Sequence, residues 1–265
     1  MIRLSTEKDI NGIITVWHEA FGDSEEDIRF FLGRKYIPEN TVVYDDNGSI
    51  ESVLFLLQGN LNINGKDYPS YYLYAACTSI KCRGKGIMAK MLEYSKNLAN
   101  GRGIEFICLR PGEKSLFDYY KKHGYQSVFF SKKLTVNRES ITKRTSCVSK
   151  PFDYFKWDDD AVKFAVDNNR YFGGNDFTEC KCHLLYIIHN GYAYVKDFTF
   201  TPDRIPYYST ILMSRYSLDK VIFNLPSVFP TNIGEYVIEP DGMAISCGNT
   251  DVNFIKNGYL GLTLE

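Results

Sequence analysis

No hydrophobic run in this chain of 265 residues approaches the ~20 residues that a spanning helix requires, so no membrane partner is expected. The start, MIRLSTEKDI, lacks an apolar core preceded by positive charge, and no secretory signal is expected. Cys-x-x-Cys pairs are absent too. The seven cysteines (Cys77, Cys82, Cys108, Cys147, Cys180, Cys182 and Cys247) are odd in number and repeat no zinc spacing. Cys180 and Cys182 alternate in a strand-like stretch, but no second ligand pair accompanies them. The reading is therefore no metal, and reduced thiols in a cytoplasmic protein. An excess of charge of one sign is missing as well. The 31 Lys and Arg residues face 32 Asp and Glu residues, a net charge of -1, which argues against a phosphate-tracking nucleic-acid binder. What remains is a local basic patch at Lys81, Arg83, Lys85 and Lys90.

What is present is material for buried cores, with 44% hydrophobic and 15% aromatic residues in a length comfortable for two domains. Ile2 to Leu4 reads as a strand. Thr6 and Asp9 form a capping box that starts a helix running to about Phe21, with Ile10, Ile13, Ile14, Trp17 and Phe21 at helical spacing. A second helix runs from Ser24 to about Tyr36, with acids in its first turn. The period then changes. Thr41 to Tyr44 and a strand from Ile50 to about Asn62 flank the hairpin signal Asp46-Asn47-Gly48, and a third strand covers Tyr68 to Thr78. A helix from Ile87 to Asn100, a buried strand from Ile104 to Leu109, a helix from Glu113 to His123 and a strand from Tyr125 to Leu134 complete the first domain, 1–136. Residues 137–150 are polar and aperiodic and read as a linker. The second domain, 151–265, shows helices at Asp158 to Asn169 and Tyr207 to Tyr216. Its strands are expected at Cys182 to Ile188, Gly191 to Thr199, Lys220 to Leu225 and Tyr259 to Glu265. Both halves are of the α+β class.

The segment Arg83-Gly84-Lys85-Gly86-Ile87-Met88 lies between a strand and a helix. That is a device for holding phosphate: unpaired N–H groups and the positive end of the helix dipole face the anion, and glycines permit close approach. A P-loop would need Gly-x-x-x-x-Gly-Lys-Ser/Thr, which is absent. A dinucleotide fingerprint is formally matched by Gly84-Lys85-Gly86-Ile87-Met88-Ala89 with Glu105 further on. However, Glu105 opens its strand, and no βαβ unit begins the chain.

A third pattern fits the order of elements. Arg83-x-x-Gly86 between strand and helix, followed by a strand and then Tyr120-Lys121-Lys122-His123-Gly124-Tyr125, resembles the GNAT acetyltransferase superfamily. Its motifs read Arg/Gln-x-x-Gly-x-Gly/Ala and, later, Y-e-k-h-G-F. The resemblance covers residues 1 to about 135. It implies a mixed, mostly antiparallel central sheet flanked by helices, and an acetyl-CoA-dependent N-acetyltransferase that acts by direct transfer on a small-molecule or peptide amine. Met88 stands where the family usually has Gly or Ala. This departure, with a second domain that looks like a degenerate GNAT fold, is similar to the enhanced intracellular survival type of acetyltransferase.

The resemblance assigns the pyrophosphate of acetyl-CoA to Arg83, Gly84, Lys85, Gly86, Ile87 and Met88. The pantetheine arm falls to the strand end Ala76, Cys77 and Thr78, and further contacts to Ser115 and Leu116. It makes Tyr120 the acid that protonates the departing thiolate, since an ordinary thiol titrates near ~8.5 and a tyrosine near ~10. Cys77 reads as strand packing, because no His is placed to activate it. The stretch Tyr68 to Thr78 contains no acid for the role of general base, and Glu265 at the chain end is a candidate by analogy with that subgroup. Trp17, Phe21, Tyr72 and Tyr74 are candidate acceptor-binding residues, with Tyr72 and Tyr74 on one strand face and Tyr71 on the other. Two alternatives stay open: a non-catalytic acyl-CoA-binding sensor, and a tandem-GNAT aminoacyl- or peptidyltransferase. The oligomeric state, a homo-oligomer included, is open as well.

Overall fold

In the computed structural model, residues 1–142, 151–179, 182–199 and 201–263 are described. The strands up to the glycine turn are β1 (Ile2–Leu4), β2 (Thr41–Asp46), β3 (Ser49–Ile63) and β4 (Lys66–Thr78), with helices α1 (Ile10–Phe21) and α2 (Glu25–Lys35) between β1 and β2. After the turn come α3 (Ile87–Gly101), β5 (Phe106–Leu109), α4 (Lys114–Lys122) and β6 (Gln126–Asn137). The remainder holds β7 (Tyr154–Lys156), α5 (Asp159–Tyr171), β8 (Asn175–Glu179), β9 (Cys182–His189), β10 (Tyr192–Phe198), α6 (Ile205–Tyr216), β11 (Lys220–Pro226) and β12 (Glu235–Ser246). Among the described residues no helix is long and apolar enough to cross a membrane.

The chain divides into two compact units: Met1–Leu61, Tyr68–Gln126 and Met243–Val252 in the first, and Asn62–Asp67, Ser127–Gly242 and Asn253–Glu265 in the second. These units differ in composition from contiguous domains of 1–136 and 151–265. β6, expected to close the first domain, lies almost wholly in the second unit, and a stretch from beyond residue 240 completes the first. Of the expected linker 137–150, residues 143–150 lie outside the described residues, while 137–142 continue β6 into a 3-10 turn at Arg138–Thr142.

In the first unit, β1, β2 and β3 are antiparallel neighbours, β4 lies next to β3, and β5 joins β4 in parallel. On the other side of β5, Met243–Ser246 of β12 pair antiparallel with Leu109–Phe106. The expected N-terminal capping box is present: Thr6 and Asp9 satisfy each other's backbone at the start of the turn that leads into α1. Ser24 caps α2 in the same way with Asp27. The apolar stripes of α3 and α4 pack with one sheet face, where Leu54, Leu56, Tyr71, Leu73 and Ile107 meet Met91, Leu92 and Tyr120. The stripe of α1 is buried through Ile13, Ile14, Val16 and Trp17.

The second unit pairs β6, β11, β10, β9 and β8 in that order, all antiparallel except β10 with β11. That parallel pair is joined through α6, so the β10–α6–β11 run has the same form as β4–α3–β5. Among the described residues, which end at Thr263, the expected terminal strand from Tyr259 to Glu265 is represented by single bridges, Gly258 with Phe129 and Tyr259 with Tyr154. Leu264 and Glu265 lie outside the described residues. Gly258 has Val128 O and the Phe129 ring so close that a Cβ would clash, which binds this segment to β6 as a coil. β12, which the sequence reading omitted, carries Pro240-Asp241-Gly242 in its middle, a break signal that tertiary pairing overrides.

Candidate functional site

The parallel pairing of β4 with β5 ends early. Ser70, Tyr71 and Tyr72 face Phe106, Ile107 and Cys108, after which β5 stops at Leu109 while β4 continues to Thr78. Ala75 lies in between with φ +47, a left-handed conformation that costs a non-glycine residue roughly 1–2 kcal/mol. The strained residue turns the strand away, and Ala76, Cys77 and Thr78 lie beyond the last β5 partner. Their backbone groups on that side have no β5 partner.

The chain then makes a 3-10 turn at Ile80–Cys82 and enters the exposed stretch Arg83–Gly86. Gly84 and Gly86 have φ +74 and +72, and nothing lies within 4 Å of where either would carry a Cβ. Gly86 is the N-cap of α3 and no side-chain cap hydrogen bond forms there among the described residues, so the first N–H groups of the helix lack an intrahelical partner. A helix start of this form is an anion site by its own dipole.

The basic patch expected from the sequence is only partly available. Lys81 is engaged, its Nζ 2.7 Å from Glu51 Oε1. Arg83 turns back on the strand, with Nε donating to Thr78 O at 3.1 Å, while its Nη groups have no partner among the described residues. Lys90 lines a cavity of about 510 Å³ together with Glu93, Lys96, His123 and Asp251. Lys85 is exposed on the glycine turn itself.

Several expected site residues come together. Ala76, Ile87, Met88, Leu116 and Tyr120 belong to one packed cluster. Tyr120 is 8% exposed and held by edge contacts to Tyr119 and Tyr125 on either side. Ser115 is exposed at the start of α4 and donates to Glu113 at 3.3 Å. Cys77 is not in that cluster; it is buried on the other face of β4, and burial pushes its thiol up to about 12. It stays protonated, which agrees with strand packing and speaks against a nucleophile.

Three of the four aromatic residues proposed for the acceptor also meet. The Trp17 ring lies 6.0 Å from that of Tyr74 and 6.2 Å from that of Phe21, and Tyr74 stacks on Phe31 at 4.9 Å. Trp17 and Tyr72 are 4% and 1% exposed, with the Trp17 indole donating to Asp23 at 2.7 Å, so both are packed in the core. Phe21, 51% exposed, and the half-buried Tyr74 are the ones that offer surface. Glu265 lies outside the described residues, as does Cys180. Glu105, the acid of the rival dinucleotide reading, accepts the Thr250 N–H at 3.1 Å and thereby holds the loop after β12.

Two carboxylates at the end of β4 come from elements outside the strand, where sequence reasoning did not look. Glu19 on α1 accepts the Ile80 N–H at 3.0 Å. Glu51 on β3 is 3% exposed and accepts from Ser49, Ser79 and Lys81 at 2.7, 2.6 and 2.7 Å. Burial pushes the Glu51 carboxyl up, but the hydrogen bonds from Lys81, Ser79 and Ser49 outweigh it and bring it down to about 2. A carboxylate lowered from 4.5 contributes stability that is fully present above that value and is lost as pH falls through about 2. Glu51→Gln is therefore expected to melt below the wild type at neutral pH. The gap should close on acidification toward pH 2, and calorimetric melting curves across that range check it.

Comparison with known proteins agrees with this geometry. Residues 1–128 match the family model of the acetyltransferase (GNAT) domain. No curated protein matches the chain. A crystal structure of Eis1 from Mycobacterium abscessus superposes with a TM-score of 0.71 at 10% identity, covering 93% of this chain and 74% of that one. A GCN5-related N-acetyltransferase from Anabaena variabilis gives 0.71 at 14% identity over 92% and 72%. A probable N-acyltransferase from Enterococcus faecalis gives 0.63 at 15% identity over the same shares. At such identities the likeness is one of fold, and it extends over most of the chain. Residues 1–128, which include the glycine turn between β4 and α3, are an acetyltransferase domain of the GNAT family.

Proposed function

We propose that this protein is an acetyl-CoA-dependent N-acetyltransferase that moves an acetyl group directly to a primary amine of a small molecule or peptide. The observation that carries the reading is the parting of β4 from β5 at Tyr72 and Cys108, just ahead of an uncapped helix start reached through two left-handed glycines. Acetyl-CoA supplies an activated thioester, and the residues present fit its two ends. Backbone N–H groups of Ile87 and Met88, with Gly84 and Gly86 leaving room and Arg83 and Lys85 adding charge, would hold the pyrophosphate. Backbone groups of Ala76, Cys77 and Thr78 would pair with the pantetheine arm and orient the thioester carbonyl, and Ser115 and Leu116 would flank it from α4. Tyr120, packed in the same cluster as Ala76 and Met88, would hold the proton for the departing sulfur.

The acceptor would enter from the α1–α2 side, where Phe21 and Tyr74 offer aromatic surface backed by Trp17. The non-catalytic alternative drew on the lack of an acid from Tyr68 to Thr78, the stretch that leads to the glycine turn. Glu19 supplies a carboxylate at that strand's end from α1, and we take it as the group that accepts the ammonium proton, directly or through water. Glu19→Gln is expected to lower kcat about 100-fold with the KM for acetyl-CoA unchanged. An unaltered pH–rate profile in that variant would remove Glu19 from the mechanism. The second unit, whose β10–α6–β11 run lacks a glycine turn, is read as a degenerate copy.

The deciding experiment is turnover of acetyl-CoA against a panel of polyamines, amino acids, aminoglycosides and peptides, followed by thiol release. Acetylation of any amine supports the reading. CoA binding without turnover of any amine would favour a sensor, and no binding of acetyl-CoA would end the proposal.

A further inference from the structure

The turn Ser79–Cys82, which delivers the chain into the glycine stretch, is tied to a single buried side chain. Glu51 Oε2 accepts the Ser79 hydroxyl at 2.6 Å and lies 3.8 Å from the Cys82 sulfur, while Oε1 lies 2.7 Å from Lys81 Nζ. The Glu51 main chain joins in, its carbonyl accepting the Ser79 N–H at 2.8 Å. Ser49, two residues before it on β3, completes the set at 2.7 Å. Three of the four turn residues thus converge on one carboxylate, and the fourth, Ile80, gives its N–H to Glu19. Beyond the turn, the Arg83 side chain closes back on Thr78 O.

A buried carboxylate is costly unless it is fully paired, and here every pairing partner outside β3 belongs to the turn. The interior of β3 needs no acid for its own sake, since the flanking Ile50, Ser52, Val53 and Leu54 are buried without charge. The arrangement has an effect only on the segment it holds. Arg83–Gly86 is exposed, contains two glycines and makes few contacts of its own, so the direction of its N–H groups depends on where Cys82 and Ile87 are anchored.

We propose that Glu51 is a positioning residue for cofactor binding: by gathering Ser79, Lys81 and Cys82 it preorganises the glycine turn, so that its N–H groups face the pyrophosphate before the cofactor arrives. Lys81 accordingly serves the site through Glu51 and is not itself a phosphate ligand. This rests on the acetyl-CoA reading above for the identity of the ligand. Preorganisation spares the ordering of a loop on binding, so its loss falls on affinity and leaves the chemical step intact.

The test compares wild type with Glu51→Gln, Lys81→Met and the double variant, using CoA itself in calorimetry, acetyl-CoA in steady-state kinetics, and hydrogen exchange of the protein without cofactor. In Glu51→Gln, KM and Kd are expected to rise about tenfold, the scale of losing one hydrogen bond to a charged group, with kcat within about twofold of wild type. Exchange should quicken at residues 80–88 and stay unchanged at 106–109. The double variant should bind as Glu51→Gln does, because both changes break the same contact. Additive losses would make Lys81 a direct phosphate ligand and overturn that part of the proposal. A fall in kcat at unchanged KM, or exchange at 80–88 equal to wild type, would overturn the positioning role. Should the wild type bind no CoA, the functional reading fails, and faster exchange at 80–88 in Glu51→Gln would still establish the tie.

Discussion

Replacing Gly86 by glutamate is expected to abolish CoA binding while the protein stays folded. Gly86 has φ +72, where an L-residue costs roughly 1–2 kcal/mol, and it is the N-cap of α3 with open space around its missing Cβ. The substitution therefore brings strain but no clash, and a melting temperature lowered by a few degrees is the structural expectation. At the ligand site the effect is larger. A carboxylate at the N-cap lies beside the N–H groups of Ile87 and Met88, competes for them, and repels the pyrophosphate at short range. We expect a loss of at least about 100-fold in affinity for CoA. Gly86→Ala separates the two contributions: it carries the backbone strain without the charge and should bind about tenfold more weakly than wild type. Calorimetric titration of CoA into the three proteins at equal ionic strength checks the order. Equal affinities for Gly86→Glu and wild type would move the anion site away from α3.

Tyr120→Phe is expected to reduce kcat about 100-fold at neutral pH, with the KM for acetyl-CoA within about twofold of wild type. The tyrosine is buried and held by the edges of Tyr119 and Tyr125, so phenylalanine keeps the ring in place and removes only the hydroxyl. The deficit should narrow as pH rises past ~8.5, where a thiol ordinarily leaves as the thiolate without help. A pH–rate profile of the variant against wild type is the measurement, and a constant ratio at all pH values would assign Tyr120 to packing alone. Tyr125 makes a useful contrast. Its hydroxyl is fully enclosed with no partner among the described residues, and burial pushes its ionisation well above the usual range. Tyr125→Phe should leave kcat unchanged and hold or raise the melting temperature.

These experiments concern a site of which one half was legible in the sequence. The glycine stretch, the helix after it and the tyrosine motif are local. Each needs only a few neighbouring residues to set its backbone, and each is found where periodicity and turn chemistry placed it. The capping boxes at Thr6 and Ser24 were readable for the same reason, since donor and acceptor are three residues apart. The acids were not. Glu19 and Glu51 reach the end of β4 across 61 and 28 residues of chain, and a search confined to the strand had no means of finding them. Likewise, a count of positive side chains around the turn does not tell that Lys81 is paired with Glu51.

By itself the sequence determined the α+β class, the glycine turn between strand and helix and the family pattern, because these follow from hydrophobic period, glycine placement and motif order within about fifty residues. Tertiary structure alone decided which strand stands beside β5. That neighbour is Met243–Ser246, a stretch interrupted upstream by Pro240-Asp241-Gly242, which no local rule selects. Strand pairing is a choice among remote partners, made by the burial of both faces and the satisfaction of edge N–H and C=O groups. The early separation of β4 from β5, on which the proposed cofactor site depends, belongs to the same class of fact. It comes from register and from the strained Ala75, and neither leaves a mark in the amino-acid pattern.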